Sequence, residues 1–200
     1  SDRIMTIVSN PHSSSADLVD LVKYDQRLTV NLLKLCNSAH VGAVRRITSI
    51  QQSVAMLGMD KVISLIMLAN NAENFRTAQA GYDLELGELW KYSVSSAIIA
   101  QELAMEKNID NISMVFTAAL IKDIGKVIMS DYISEAFSDI RNAVEKKGLT
   151  FLDAEKAVLG IDHAELGARV ARKWQFDPEM VDIIAFHHEP IKSSRMHLPL

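Results

Sequence analysis

The chain of 200 residues has one cysteine, four prolines and eight glycines. A single thiol, Cys36, excludes a disulfide framework and fits a reducing cytosol. Its plain reading is a buried apolar group. So few breakers argue against many short strands and for long helices. Charge of one sign is also scarce. Lys plus Arg is 21 and Asp plus Glu is 25, a net charge of −4. Nothing in that balance pulls the whole chain towards nucleic acid or anionic lipid. No run of about 18 apolar residues is present, so no membrane-spanning helix is expected. No basic region leads into an apolar run near Ser1, so no signal peptide is expected. The missing initiator Met and the abrupt apolar end at Leu200 suggest a piece of a longer protein.

What remains is ordinary for a globular chain: 48% apolar and 23% charged residues. That excludes intrinsic disorder, which needs low hydrophobicity with high net charge. The apolar residues recur at helical offsets. Leu28, Val30, Leu32, Leu33, Leu35 and Cys36 share one run, and Ser49-Ile50-Gln51-Gln52 reads as a capping box for the next, closed by Gly58. The stretch from Lys61 to Phe75 is apolar on most of its circumference, which predicts a central helix. Long helices are expected over 84–106 and 110–122, with Ile98, Met105 and Met114 among their apolar positions. Met56, Met67, Met105 and Met114 read as core filling.

A further helix is expected from about Ser134 to Lys147, with two cations and Gly148 at its end. Thr150, Asp162 and Asp177-Pro178 mark three more helix starts. No alternating strand is evident. The expected fold class is all-α, with an N-terminal helical lobe over 1–80 and a second, bundle-like lobe over 81–200. The polar stretch 76–83 divides them and is too short for a free linker.

The chemistry concentrates in the second half. Asp123 ends an apolar helix, His163 follows Gly160-Ile161-Asp162, and His187-His188 precede Glu189-Pro190. A carboxylate and imidazoles gathered from separate helices are how helical proteins build metal sites, and they suit a borderline or hard divalent ion. Each also has a plainer reading: Asp123 as a helix cap, His163 as a first-turn surface residue. His187 and His188, about 100° apart if helical, cannot both face one site unaided. His12, His40 and His197 sit in polar or terminal contexts.

Leu120-Ile121-Lys122-Asp123-Ile124-Gly125-Lys126 resembles the L-x-H-D-I-G-K signature of the HD superfamily of metal-dependent phosphohydrolases. Gly160 to His163, and Ile183 to Pro190, resemble later motifs of its HD-GYP and HDOD branches. Asp25 to Thr29, Leu32 to Ala39, Ile47 to Ile50 and Ala55 to Gly58 are similar to the HDOD branch in particular. The resemblance spans roughly residues 4–195. It implies a helical fold, a cluster of Asp123, His163, His187 and His188, and a place in bacterial signal transduction.

The departures from the pattern are informative. The first His of the family stands in a W-x-H-S context; here Trp90-Lys91-Tyr92-Ser93 puts Tyr92 there. The His of the doublet is Lys122. No Gly-Tyr-Pro follows the His pair. The resemblance therefore implies a degenerate site, with Tyr92 and Lys122 at vestigial ligand positions and no cofactor, or at most one divalent metal ion. The Lys122 charge would repel a cation and substitute for one beside Asp123. Trp90 and Tyr92 are expected to pack together, with a vestigial pocket as the alternative.

Three functions are open at this point. A non-catalytic signalling module would bind a small nucleotide or a protein partner, including domains fused to it. A phosphohydrolase of nucleotides or cyclic dinucleotides would need a stoichiometric ion. Arg45-Arg46, with Lys34, Asn37 and His40 nearby, forms a small basic cluster that suits nucleic acid or a partner surface, or is merely solvated.

Overall fold

The computed structural model describes residues 14–38, 45–64, 82 and 88–193. Among them every regular element is helical and none is a strand, in agreement with the all-α expectation. The helices are α1 (Ser15–Val22), α2 (Gln26–Cys36), α3 (Ile50–Leu57), α4 (Glu88–Glu106), α5 (Ile112–Ile121), α6 (Ile124–Lys147), α7 (Phe151–Leu159), α8 (His163–Lys173) and α9 (Pro178–Phe186). A short 3₁₀ turn at Pro190–Lys192 follows, and residues 59–64 are helical as well. The expected central helix at 61–75 and the boundary at 76–83 lie outside the described residues, apart from 61–64 and Tyr82.

Most helix starts follow from one side chain each. Asp25 accepts from the Leu28 amide at 2.9 Å and Thr150 from the Asp153 amide at 3.1 Å. Asp162 accepts from Glu165 at 2.7 Å and Asp177 from Glu179 at 2.8 Å. Each satisfies an amide that the helix itself leaves orphaned. The expected capping box at Ser49, and the one that Asp162 and Glu165 could form, are both half-formed. Ser49 caps Gln52, but the Gln52 amide oxygen reaches the Thr48 amide at 2.9 Å instead of Ser49. The Glu165 side chain turns to Lys156 and Arg169 instead of back to Asp162.

The largest departure is α6. It begins at Ile124, directly after Asp123, not near Ser134. Gly125 reads as a breaker in sequence, yet here it is a point of close contact inside the first turn of α6, not a stop. The far end matches the expectation: Lys146 and Lys147 occupy the last turn, and Gly148 takes a left-handed φ of 66°.

The core has three parts. Leu120, Ile121 and Met114 of α5 meet Ile184 and Met180 of α9, Ala168 of α8, and Val30 and Leu33 of α2. Leu28 and Leu32 on the other side of α2 join Leu18, Val54 and Val62. The third part lies between α6 and α7, where Ile133, Ile140 and Ala154 meet Tyr82. Helix α2 thus buries one side in each of the first two parts. Helix α5 is buried over most of its circumference, so it is central among the described helices.

Helix α4 contacts α5 through small groups, Ser93, Ala97 and Ala104. That spacing leaves Ile98 and Met105 outward, contrary to the expectation that both are core positions. Met114 is buried, Met56 is half-buried, and Met67 lies outside the described residues. Cys36 is buried and burial pushes its thiol pKa up, as an inert core thiol requires.

Candidate metal and ligand site

Asp123 is the second residue of the two-residue gap, Lys122-Asp123, between the end of α5 and the start of α6. It holds the N-cap position of α6 without capping it, because its side chain turns inwards. Lys122 ion-pairs with its Oδ2, and the Lys126 Nζ lies 2.6 Å from Oδ1. Both lysines are largely covered, so these pairs are shielded from solvent more than surface pairs are.

His163 opens α8 and is 1% exposed. The alternative of a first-turn surface imidazole is therefore wrong. The Asp162 cap starts the helix so that the next side chain points down into the bundle, between α6 and α9. Its Nε2 lies 3.6 Å from Asp123 Oδ1 and 2.9 Å from His188 Nε2. Its Nδ1 donates to the Glu155 carboxylate at 2.6 Å.

His187 and His188 do face one site together. Helix α9 stops at Phe186, and the pair sits in the turn closed by the Glu189 amide on the Phe186 carbonyl at 2.9 Å. The end of the helix supplies what continuous helical geometry would deny. His187 Nδ1 donates to the Ile184 carbonyl at 2.9 Å, and its Nε2 lies 3.6 Å from Asp123 Oδ1.

The electrostatics follow from this crowding. Burial alone would raise the Asp123 pKa, but His187, Lys126 and Lys122 outweigh it and hold the carboxyl well below the usual carboxylate range. His188 moves the other way. Burial, the neighbouring His187 and His163, and Lys126 push it down to about 4, so its imidazole is neutral near pH 7.

One ligand atom from each of Asp123, His163, His187 and His188 lies within 4.8 Å of the others. Tetrahedral zinc with bonds of about 2.1 Å separates its ligand atoms by about 3.4 Å. The two 3.6 Å separations from Asp123 are close to that edge. The acceptors Glu155 and Ile184 O take the Nδ1 protons of His163 and His187, which leaves a lone pair on each Nε2; that of His163 meets His188 Nε2 at 2.9 Å. His187 Nε2 is buried without a hydrogen bond, and Asp123 Oδ1 receives none of proper direction although Lys126 is close. The donor set therefore fits one divalent ion. Lys122 and Lys126 add two positive charges beside the same carboxylate and oppose a second.

A cavity of about 460 Å³ opens beside the cluster, lined by His163, His188, Lys126, Tyr82, Phe151 and Glu189 among others. Sequence reasoning missed three of its neighbours, Glu155, Lys126 and Tyr82. Glu155, 0% exposed, bonds both His163 and Tyr82. The signal available for Lys126 was its position three residues after Asp123. Glu155 had none, since Ala154-Glu155-Lys156 resembles any solvated helix face.

Other expected positions fall elsewhere. Tyr92 is 66% exposed on α4 and does not line the cavity. Trp90 and Tyr92 do not pack as a pair, because residues two apart on a helix diverge; the Trp90 indole donates to the Tyr24 carbonyl at 2.9 Å. Lys122 does adjoin the cluster. Arg45 and Arg46 are exposed, but Arg46 donates to the Asn37 carbonyl and to Gln175 at 3.2 and 3.0 Å. Lys34 lies over the Trp174 ring. Part of the basic cluster is thus engaged within the chain.

A helical bundle with an Asp-His cluster at its helix ends is the architecture found. The HDOD domain profile matches residues 1–190, and the chain belongs to the HDOD family. An HDOD domain protein of unknown function from Geobacter sulfurreducens is 28% identical and superposes with a TM-score of 0.56, covering 97% of this chain and 65% of that one. The MmoQ response regulator from Methylococcus capsulatus shares the fold at 18% identity and a TM-score of 0.79, over 94% and 73% of the two chains. An uncharacterised protein of Treponema pallidum is 23% identical over 198 residues. The chain spans 98% of its own length in that match but 38% of the relative's. It likewise spans under two thirds of the Geobacter protein.

Proposed function

We propose that this chain is a non-catalytic regulatory domain of bacterial signal transduction, acting in the cytoplasm by binding a ligand or a protein partner. The observation that carries this reading is the lysine pair on Asp123. A hydrolase of this superfamily activates water on its metal and polarises a phosphoryl oxygen. Here two ammonium groups compete with any ion for the carboxylate that would anchor it. The remaining imidazoles suit one ion, held by Asp123, His163, His187 and His188, which would supply Lewis acidity and fix the cluster's shape.

The cavity beside the cluster is the place for a ligand. Its aromatic wall at Tyr82 and Phe151 and its cationic floor at Lys126 suit a small nucleotide. The response-regulator name of the Methylococcus relative supports a role in signalling, as does the extra length of its relatives, which leaves room for fused partner domains. No described helix is long and apolar enough to cross a membrane.

Elemental analysis of protein purified without a metal-affinity column tests this reading. It predicts no more than one ion per chain, lost in the Asp123→Ala, His163→Ala double variant. A stoichiometric ion accompanied by phosphoester turnover that is lost in Asp123→Ala would instead establish the alternative, a metal-dependent phosphohydrolase.

A further inference from the structure

Three donors converge on Glu155, a carboxylate buried inside the bundle. The Tyr82 hydroxyl donates to Oε1 at 2.8 Å. The His163 amide and Nδ1 both donate to Oε2, at 3.0 and 2.6 Å. This is the pattern of an acceptor-only carboxylate with both oxygens engaged. The neighbouring Lys156 does not compensate it; that ammonium turns out to Glu165 and Asp162.

The three residues come from distant parts of the sequence. Glu155 is in the middle of α7 and His163 starts α8, eight residues on. Tyr82 lies before α4 and is seventy-three residues from Glu155. Its ring packs against Phe151 at 5.7 Å and faces the same cavity as His163. Burial and the Glu155 charge push the Tyr82 hydroxyl pKa far above its ordinary value, so it remains a donor.

We propose that Tyr82 and Glu155 form a positioning relay for His163: together they hold its Nε2 lone pair towards the cluster, and withdrawing Tyr82 loosens the cluster's hold on a cation. The relay makes Tyr82 a regulator of the site. An occupant of the cavity that displaces the Tyr82 ring frees one oxygen of Glu155, which then shifts its bonds to His163. The metal part of this proposal rests on the one-ion reading above; the orientation of His163 does not.

The test uses the whole chain, with Glu155→Gln and Tyr82→Phe. Long-range proton–nitrogen spectra of the imidazoles report the His163 tautomer, and competition titration reports zinc affinity. The relay predicts a single Nδ1–H tautomer in the parent chain and a mixture in Glu155→Gln. Zinc affinity falls about 10- to 100-fold in Glu155→Gln, the usual effect of removing such a partner. It falls about fivefold in Tyr82→Phe, the loss of one hydrogen bond worth about 1 kcal/mol. Unchanged tautomer and unchanged affinity in folded variants would overturn the relay. If Glu155→Gln does not fold, Tyr82→Phe decides alone, since it removes a single oxygen. If the parent chain binds no zinc, the one-ion reading fails and the tautomer still decides the relay.

Discussion

Gly125 and His163 touch backbone to backbone: a Cβ at Gly125 would lie 1.9 Å from the His163 carbonyl oxygen. Gly167 closes the same crossing, where an added Cβ would lie 3.2 Å from the Gly125 nitrogen. This glycine pair lets the first turn of α6 meet the first turn of α8, and it is why Asp123 and His163 share one site. Gly125→Ala is expected to cost about 3 kcal/mol, because the clash is with backbone that no rotamer change can clear. Chemical denaturation measures it. A loss under about 1 kcal/mol would mean that α6 and α8 can part cheaply.

The lysine pair sets the cluster's appetite for cations. Lys126→Met removes an ammonium 2.6 Å from Asp123 Oδ1. Zinc or manganese affinity is expected to rise about tenfold or more, because the incoming ion no longer competes with a fixed cation. The same variant should unfold at lower temperature without metal and regain stability with it, since a buried carboxylate has lost a partner. Titration calorimetry and thermal melts check both signs.

Acid should loosen the protein through His188. Its pKa falls from 6.5 to about 4 in the folded chain, so the unfolded state binds the proton first. Stability is then full above about pH 6.5 and declines as pH drops towards 4. In chelator-treated protein, His188→Gln should flatten the melting temperature across that window. A slope unchanged by the substitution would place the acid sensitivity elsewhere.

Cys36 should resist thiol reagents. It is buried, and burial raises its pKa, so both access and thiolate are lacking. Labelling is expected at the rate at which the region opens, and it should accelerate sharply in denaturant. Immediate labelling of the native protein would contradict this core.

The four cluster residues were legible in sequence because chemistry-bearing side chains at helix ends stand out from an apolar background. The HDOD resemblance rested on such residues together with the stretches Asp25 to Thr29, Leu32 to Ala39, Ile47 to Ile50 and Ala55 to Gly58. Where physics beyond the sequence decides, the reading missed. Gly125 looks the same whether it stops a helix or admits a neighbour, so α6 was expected ten residues late. Glu155 has the sequence context of a solvated charge, and only the fold turns it inwards. Tyr92 stands where the family's motif puts a ligand, yet small residues form the inner face of α4 and leave the phenol in solvent.

The most direct measurement of the central claim is turnover of a model phosphodiester, with the chain saturated in turn with zinc, manganese and iron. The lysine-clamped cluster predicts no hydrolysis above background with any of them. Turnover that appears as a second ion binds, and disappears in Asp123→Ala, would contradict it.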